Sequence, residues 1–187
     1  MKIDESIVQL GAELDKWFEE NRTTFASPDR QAQGKSLIRG FQIAKELDRL
    51  KADGLSAITA LIKHTDSIPN NERIASLVRG FEFAAKLADT LHDELLDTDG
   101  GNRVTALMND IAAALDGMGA GRASLGVLLD SPDARVRTSA GAYLIKLMPD
   151  RVLPILHEIE KGEGASSAGF HAHWTILRWE RENKVRD

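Results

Sequence analysis

Ser36-Leu37-Ile38-Arg39-Gly40-Phe41 and, forty residues later, Ser76-Leu77-Val78-Arg79-Gly80-Phe81 are the stretches on which the reading of the fold turns. Ala44 and Leu47 are answered by Ala84 and Leu87, so that seven of the twelve columns starting at Ser36 and Ser76 are identical. Further on, Ile58-Thr59-Ala60-Leu61-Ile62 is answered by Val104-Thr105-Ala106-Leu107-Met108, now 46 residues apart. The six extra residues (46 − 40) fall in the acidic connector between Asp93 and Gly101. Two matches in the same order predict a duplicated helix hairpin. A period near forty residues with two helices per unit is the signature of a helical repeat stack, in which neighbouring units cover apolar faces that one hairpin leaves open.

Outward from the repeat, apolar residues return every three or four positions, the spacing of one helix face. Ile7, Leu10, Leu14, Trp17 and Phe18 predict a first helix from about Asp4 to Glu20, followed by a loop from Asn21 to Ala26. Ser27-Pro28-Asp29 reads as a helix start: a capping hydroxyl, a proline that loses no bond in the first turn, and an acid at the positive dipole end. That helix turns Leu37, Ile38, Phe41, Ala44, Leu47 and Leu50 inward and is expected to stop at Asp53-Gly54, where glycine permits a left-handed cap. A short helix with Leu55, Ile58, Leu61 and Ile62 should complete the first hairpin.

A more diverged third unit follows. Leu125, Leu128 and Leu129 mark a short helix after the glycine-rich stretch 117–121, and Ser131-Pro132-Asp133 repeats the capping pattern. Val136, Ala140, Tyr143, Leu144 and Leu147 form the next expected buried stripe. Asp150 should cap a helix holding Val152, Leu153, Ile155, Leu156 and Ile159, with Pro154 expected in its first turn. After Gly162-Glu163-Gly164, a last helix is expected to bury Phe170, Trp174 and Leu177.

Composition sets the bounds. The chain has 187 residues, 42% hydrophobic and 28% charged, as in a soluble globular protein, and it is long enough for one continuous core. Five prolines and little apolar–polar alternation argue against an all-β fold. Without cysteine there is no disulfide or thiolate chemistry. The charged start Met1-Lys2-Ile3-Asp4-Glu5 does not resemble a signal peptide, and no run reaches the roughly 18 apolar residues of a membrane span. The expectation is a cytoplasmic protein without a membrane partner. A formal net charge of −5 disfavours nucleic acid, because the most basic stretch, Arg178, Arg181, Lys184 and Arg186, is interleaved with Glu180, Glu182 and Asp187.

Ser131-Pro132-Asp133-Ala134-Arg135-Val136-Arg137-Thr138-Ser139-Ala140 resembles the HEAT signature, an aspartate followed by Val-Arg and then alanines. From about Glu72 to Glu180 the chain resembles an uncharacterised bacterial HEAT-like family, classed as a domain of unknown function. The residues that carry the likeness are Asn102-Arg103, Leu115 before a glycine, Leu125-Gly126-Val127-Leu128-Leu129, the Pro-Asp…Val-Arg start, Pro149 ahead of Val152 and Leu156, and Trp179. The resemblance implies an all-α, HEAT-like stack of antiparallel hairpins, an α-solenoid of eight or nine helices, and brings no catalytic residues. The chain then reads as one domain, 1–187: the first helix and hairpin over 1–66, which the family pattern does not explain, and the HEAT-like region over 67–187. Small helical folds of this sort include immunity proteins that neutralise bacterial toxins, a link from fold alone.

Chemistry-bearing motifs are sparse. Gln33-Gly34-Lys35-Ser36 ends like a phosphate loop, but the upstream glycine is missing and no strand precedes it. His171 and His173, two apart on a helix, point about 200° from each other and cannot easily share a metal, although His157 could join one of them on folding. No catalytic, cofactor-binding or metal-ligating residue is assigned, and an enzyme is not expected. HEAT-like DNA glycosylases exist, and Trp174 or Trp179 beside an aspartate could imitate them, but the acidic balance counts against it. Gly40 and Gly80, costly in mid-helix, suggest close helix packing, with Arg39 and Arg79 laddering to neighbouring acids. The densest acidic run is Asp93, Glu94, Asp97 and Asp99, with Asp110 and Asp116 on the next helix. These six are the expected partner-binding residues. Their charge would steer a basic protein, such as a nuclease toxin, by long-range attraction. A general scaffold or regulatory adaptor is the alternative.

Overall fold

The computed structural model of the chain describes residues 3–21, 30–63, 68–94, 97–119, 121–163 and 166–184. Among these the secondary structure is wholly helical: α1 (Ile3–Asn21), α2 (Arg30–Lys63), α3 (Asn70–Asp89) ending in a π turn (Thr90–Glu94), α4 (Thr98–Asp116), a 3-10 helix (Arg122–Asp130), α5 (Ala134–Leu144), α6 (Pro149–Glu163) and α7 (Ser167–Lys184). The all-α class is as expected. The Ser27-Pro28-Asp29 start lies outside the described residues, as do the side chains of Phe18, Phe41 and Arg39.

The expected break at Gly54 is not there. Residues 30–63 form one helix, so the stretch from Ser36 to Ile62 is not a helix pair, while its later counterpart is the hairpin of α3 and α4. Gly54 has another role. A Cβ there would stand 2.2 Å from Cε1 of buried Phe83, so the missing side chain lets α2 cross α3 closely. Gly80 answers it from the other helix, where a Cβ would lie 3.2 Å from Cγ1 of Ile58. Gly54 with Phe83 and Ile58 with Gly80 run in opposite directions along the two helices, an antiparallel crossing through two side-chain-free notches. Leu47, Leu50, Ile58 and Leu61 share the buried face on both sides of Gly54, so stopping the helix there would split one continuous apolar stripe.

Helix α3 is central. It packs against α1, α2, α4 and α5 and buries Ser76, Leu77, Phe81, Phe83, Ala84 and Leu87 on most sides of its circumference, leaving Glu72, Arg79, Glu82, Lys86 and Asp89 as its polar stripe. Its Lys86 reaches Asp15 of α1 at 3.0 Å and Glu82 at 3.4 Å. Helix α5 packs on α6, α7 and the 3-10 helix, and α6 on α7. One hydrophobic core runs from Ile7 to Ile176.

Four further expectations need correction. Asp133, not Ser131, is the N-cap of α5: its carboxylate accepts from the Arg135 amide at 2.9 Å, while the Ser131 hydroxyl accepts from the Asp133 amide at 3.2 Å. Pro154 sits in the second turn of α6, where it removes the bond an amide would give to the Asp150 carbonyl. Leu147 leaves the α5 stripe and is 57% exposed, because α5 ends at Leu144 and the chain turns. On α7 the buried stripe is Ala168, Ala172 and Ile176, whereas Phe170 and Trp174 stand 57% and 50% exposed. Small residues face the core there because α7 lies close upon its neighbours, and the large rings are turned outward.

Candidate functional site: a groove between two helices

The outward turn of α7 leaves a concavity beside it. Helix α5, with Ala85 and Ala88 of α3 at one end, forms its floor, and α4 and α7 form its walls. Two adjoining cavities, about 670 Å³ and about 560 Å³, share Ala142, Tyr143, Thr175 and Arg178. The first adds Asn102, Thr105 and Met108 of α4 and Trp174 of α7; the second adds Asn109 and Asp116 of α4 and Trp179 and Glu182 of α7. The two walls therefore run in the same direction along the groove.

Tyr143 marks the boundary between the cavities. Its ring stands edge-on to buried Phe81 with centroids 5.1 Å apart, and its hydroxyl donates to Asn109 Oδ1 at 2.6 Å, tying floor to wall. Burial pushes the phenol above its ordinary pKa, only partly countered by the Arg122 charge. The π turn brings His92 to the groove, and π turns recur at functional sites. A Cβ on Gly101 would fall 2.4 Å from His92 Nε2, so that glycine is what lets the imidazole lie over the first turns of α4. Asp89, deep in the first cavity, accepts from the Ser167 hydroxyl at 2.6 Å and lies 3.9 Å from Arg135 Nε.

Charges lining the groove are answered within the protein. Asp116 receives both Nε and Nη2 of Arg122, and Glu182 binds Lys146 at 2.6 Å and Arg178 at 3.2 Å. Those contacts, Lys146 first, hold the Glu182 carboxyl below its ordinary pKa. Three of the five large exposed apolar side chains among the described residues lie here too, Val8 and Val127 being the others. Trp174 lines the first cavity with Phe170 against it, centroids 6.0 Å apart, and Leu147 lines the second.

The six acids expected to bind a partner separate into distinct roles. Asp97 is the N-cap of α4: Oδ1 accepts from the Gly100 amide at 2.8 Å and Oδ2 from Lys51 Nζ at 3.3 Å. The Gly100 amide, followed by Lys51 and Arg103, keeps its carboxyl below the usual range against the opposing effect of burial. Asp116 lies on the groove wall, paired with Arg122. Asp99 and Asp110 are exposed on α4. Asp93 and Glu94 belong to the π turn, and their side chains lie outside the described residues. Of the six, Asp116 alone is a lining residue of the groove, Asp97 is turned to the α4 cap and Lys51, and Asp99 and Asp110 face solvent from α4.

His157 does join one of the histidine pair, through a carboxylate. Glu160 accepts at 2.6 Å from His173 Nδ1 and stands 3.3 Å from His157 Nδ1, while His171 points into the groove. Among the described residues no group of three or more His, Asp or Glu has the geometry to hold a metal ion, and no helix is long and apolar enough to cross a membrane.

Sequence reasoning missed Trp174 as a surface group by assigning it to the core, saw the inward packing of half-buried Tyr143 but not its place in the groove, and passed over His92. One signal was available: Ala168, Ala172 and Ile176 also recur at helical spacing, on the face opposite Trp174. Comparison with family models, with curated proteins and with solved structures finds no match to this chain.

Proposed function

We propose that this chain is a protein-binding helical module of HEAT-like type, and most concretely an immunity protein that neutralises a basic toxin. The carrying observation is where exposed apolar side chains lie: of the five large ones among the described residues, Trp174 and Leu147 line one groove and Phe170 packs against Trp174, while Val8 and Val127 lie elsewhere. Aromatic anchors beside a concavity are the usual composition of a protein-binding hot spot. Asp99 and Asp110 on the adjoining α4 surface favour a cationic visitor, and α4 with the π turn forms the edge that would meet it first.

The test is co-expression with the product of the adjacent reading frame, since an immunity protein is encoded beside its toxin. A stable complex that silences the neighbour's toxicity is expected. Replacing Asp93, Glu94, Asp99 and Asp110 by Asn or Gln should slow association roughly tenfold at low salt, flatten its salt dependence and leave dissociation nearly unchanged. Asp97 and Asp116 are left intact because the cap and the Arg122 pair need them. No complex, or a partner with an acidic contact surface, would overturn the reading. A complex without relief of toxicity points instead to a scaffold or adaptor.

A further inference from the structure

We propose that the groove between α4 and α7 receives one amphipathic α-helix of the partner protein, apolar at both ends of its buried face, uncharged at the centre and basic along the edge beside α4. This rests on the protein-binding reading above and adds the shape and chemistry of what is bound. Length comes first. From Asn102 to Asp116 the α4 wall runs about 20 Å at 1.5 Å per residue, or about four helical turns, longer than a compact small molecule requires. Ala85, Ala88, Ser139 and Ala142 keep the floor low, so a helix could settle at the 8–10 Å axial separation of ordinary packing, roughly. An extended peptide bound by strand addition would need an unpaired sheet edge, and the described residues contain no strand.

The chemistry follows the same axis. Trp174 with Phe170 offers an apolar contact at one end and Leu147 at the other. Between them stand the Tyr143 hydroxyl, Asn109 and Thr175, which can meet hydroxyl or amide side chains, together with Arg178, whose charge is already answered by Glu182 at 3.2 Å. The groove carboxylates Asp89, Asp116 and Glu182 are already bonded to Ser167, Arg122, Lys146 and Arg178, so a charge pressed into the centre would have to break a pair to gain a partner. On α4 itself Asp99, one turn before Asn102, and Asp110, next to Asn109, face solvent outside the cavity linings, and lysine or arginine on the helix flank would be matched there.

The experiment uses a phage-displayed library of sixteen-residue helix-forming peptides randomised on one face, selected against the full chain. Enriched peptides should carry apolar residues at both ends of that face and Lys or Arg on one flank. Their affinity should fall roughly thirtyfold on Trp174→Ala and on Leu147→Ala, each shown to be folded by circular dichroism. A lesser loss, lifted by salt, is expected for Asp99→Asn with Asp110→Asn. Proline-containing or extended winners, absence of enrichment, or binding indifferent to Trp174 and Leu147 would overturn the proposal. So would a concentration-dependent dimer abolished by Trp174→Ala, which would make a second copy the occupant. If the neighbouring-frame product binds the Trp174→Ala and Leu147→Ala proteins as well as the original, the helix-in-groove mode fails while the protein-binding reading stands.

Discussion

Phe81 and Trp174 are both large aromatics at helical spacing, and their surroundings give them opposite energetics. Phe81 is fully buried, whereas Trp174 is half exposed beside the groove. Phe81→Ala should therefore cost about 3–5 kcal/mol of stability, as for a truncated core ring, while Trp174→Ala should cost less than about 1 kcal/mol. Urea titrations of the two variants check this, and a large loss for Trp174→Ala would return that ring to the core. Gly54 makes a second residue-scale case. Alanine in mid-helix ordinarily gains about 1 kcal/mol over glycine. Here the new methyl would meet the Phe83 ring, which is itself 2% exposed and has little room to swing aside. Gly54→Ala should destabilise by about 1–3 kcal/mol, the range for overpacking. Phe83→Leu, costly alone, should become less so in that background, a coupling that a double-mutant cycle measures.

At the scale of the element, α5 depends on its cap. Asp133 accepts the Arg135 amide and also pairs with the Arg135 guanidinium at 2.7 Å. Burial by itself would raise this carboxyl, but its bonds to the Arg135 side chain and amide, with the Lys86 charge, more than offset that and hold it below its ordinary pKa. The sign follows: a depressed folded-state pKa adds stability that is present above the unfolded value, about 4, and is lost as pH falls through the lower folded value. Asp133→Asn keeps a good capping acceptor but cannot titrate. In urea melts this variant should be less stable than the parent near pH 7, and its loss of stability between about pH 5 and pH 3 should be shallower. An unchanged acid slope would show that Asp133 contributes nothing to it.

Across the whole molecule, a single hydrophobic core joins α1 to α7, and polar links reinforce it: Lys86 to Asp15, Lys51 to Asp97, Ser167 to Asp89. With α3 touching helices before and after it in the sequence, the two halves share one continuous core. Unfolding should then be one cooperative transition. Far-UV circular dichroism and the fluorescence of a variant retaining only Trp17, near the N-terminus, should give coincident urea curves. Separated midpoints would divide the chain into two folding units.

The sequence by itself determined the all-helical class and most helix positions, though not that 30–63 is a single helix, because apolar residues at three and four positions are a local signal that needs no partner to be read. It placed Ile7, Leu14, Phe81, Val136, Val152 and Leu156 inward, and each of them is buried. What Gly54 is for, and which face of α7 is covered, only the tertiary structure decided. Glycine serves equally as a left-handed cap or as a notch for a neighbour, and the choice depends on whether Phe83 of another helix stands against it. On α7 two stripes compete, Phe170 with Trp174 and Ala168 with Ala172 and Ile176. Hydrophobicity ranks the aromatics first, but the short distance between packed helices admits the alanines. The groove exists because that choice sends the rings outward, so its acids and hydroxyls were legible one by one in the sequence, and their assembly into one surface was not.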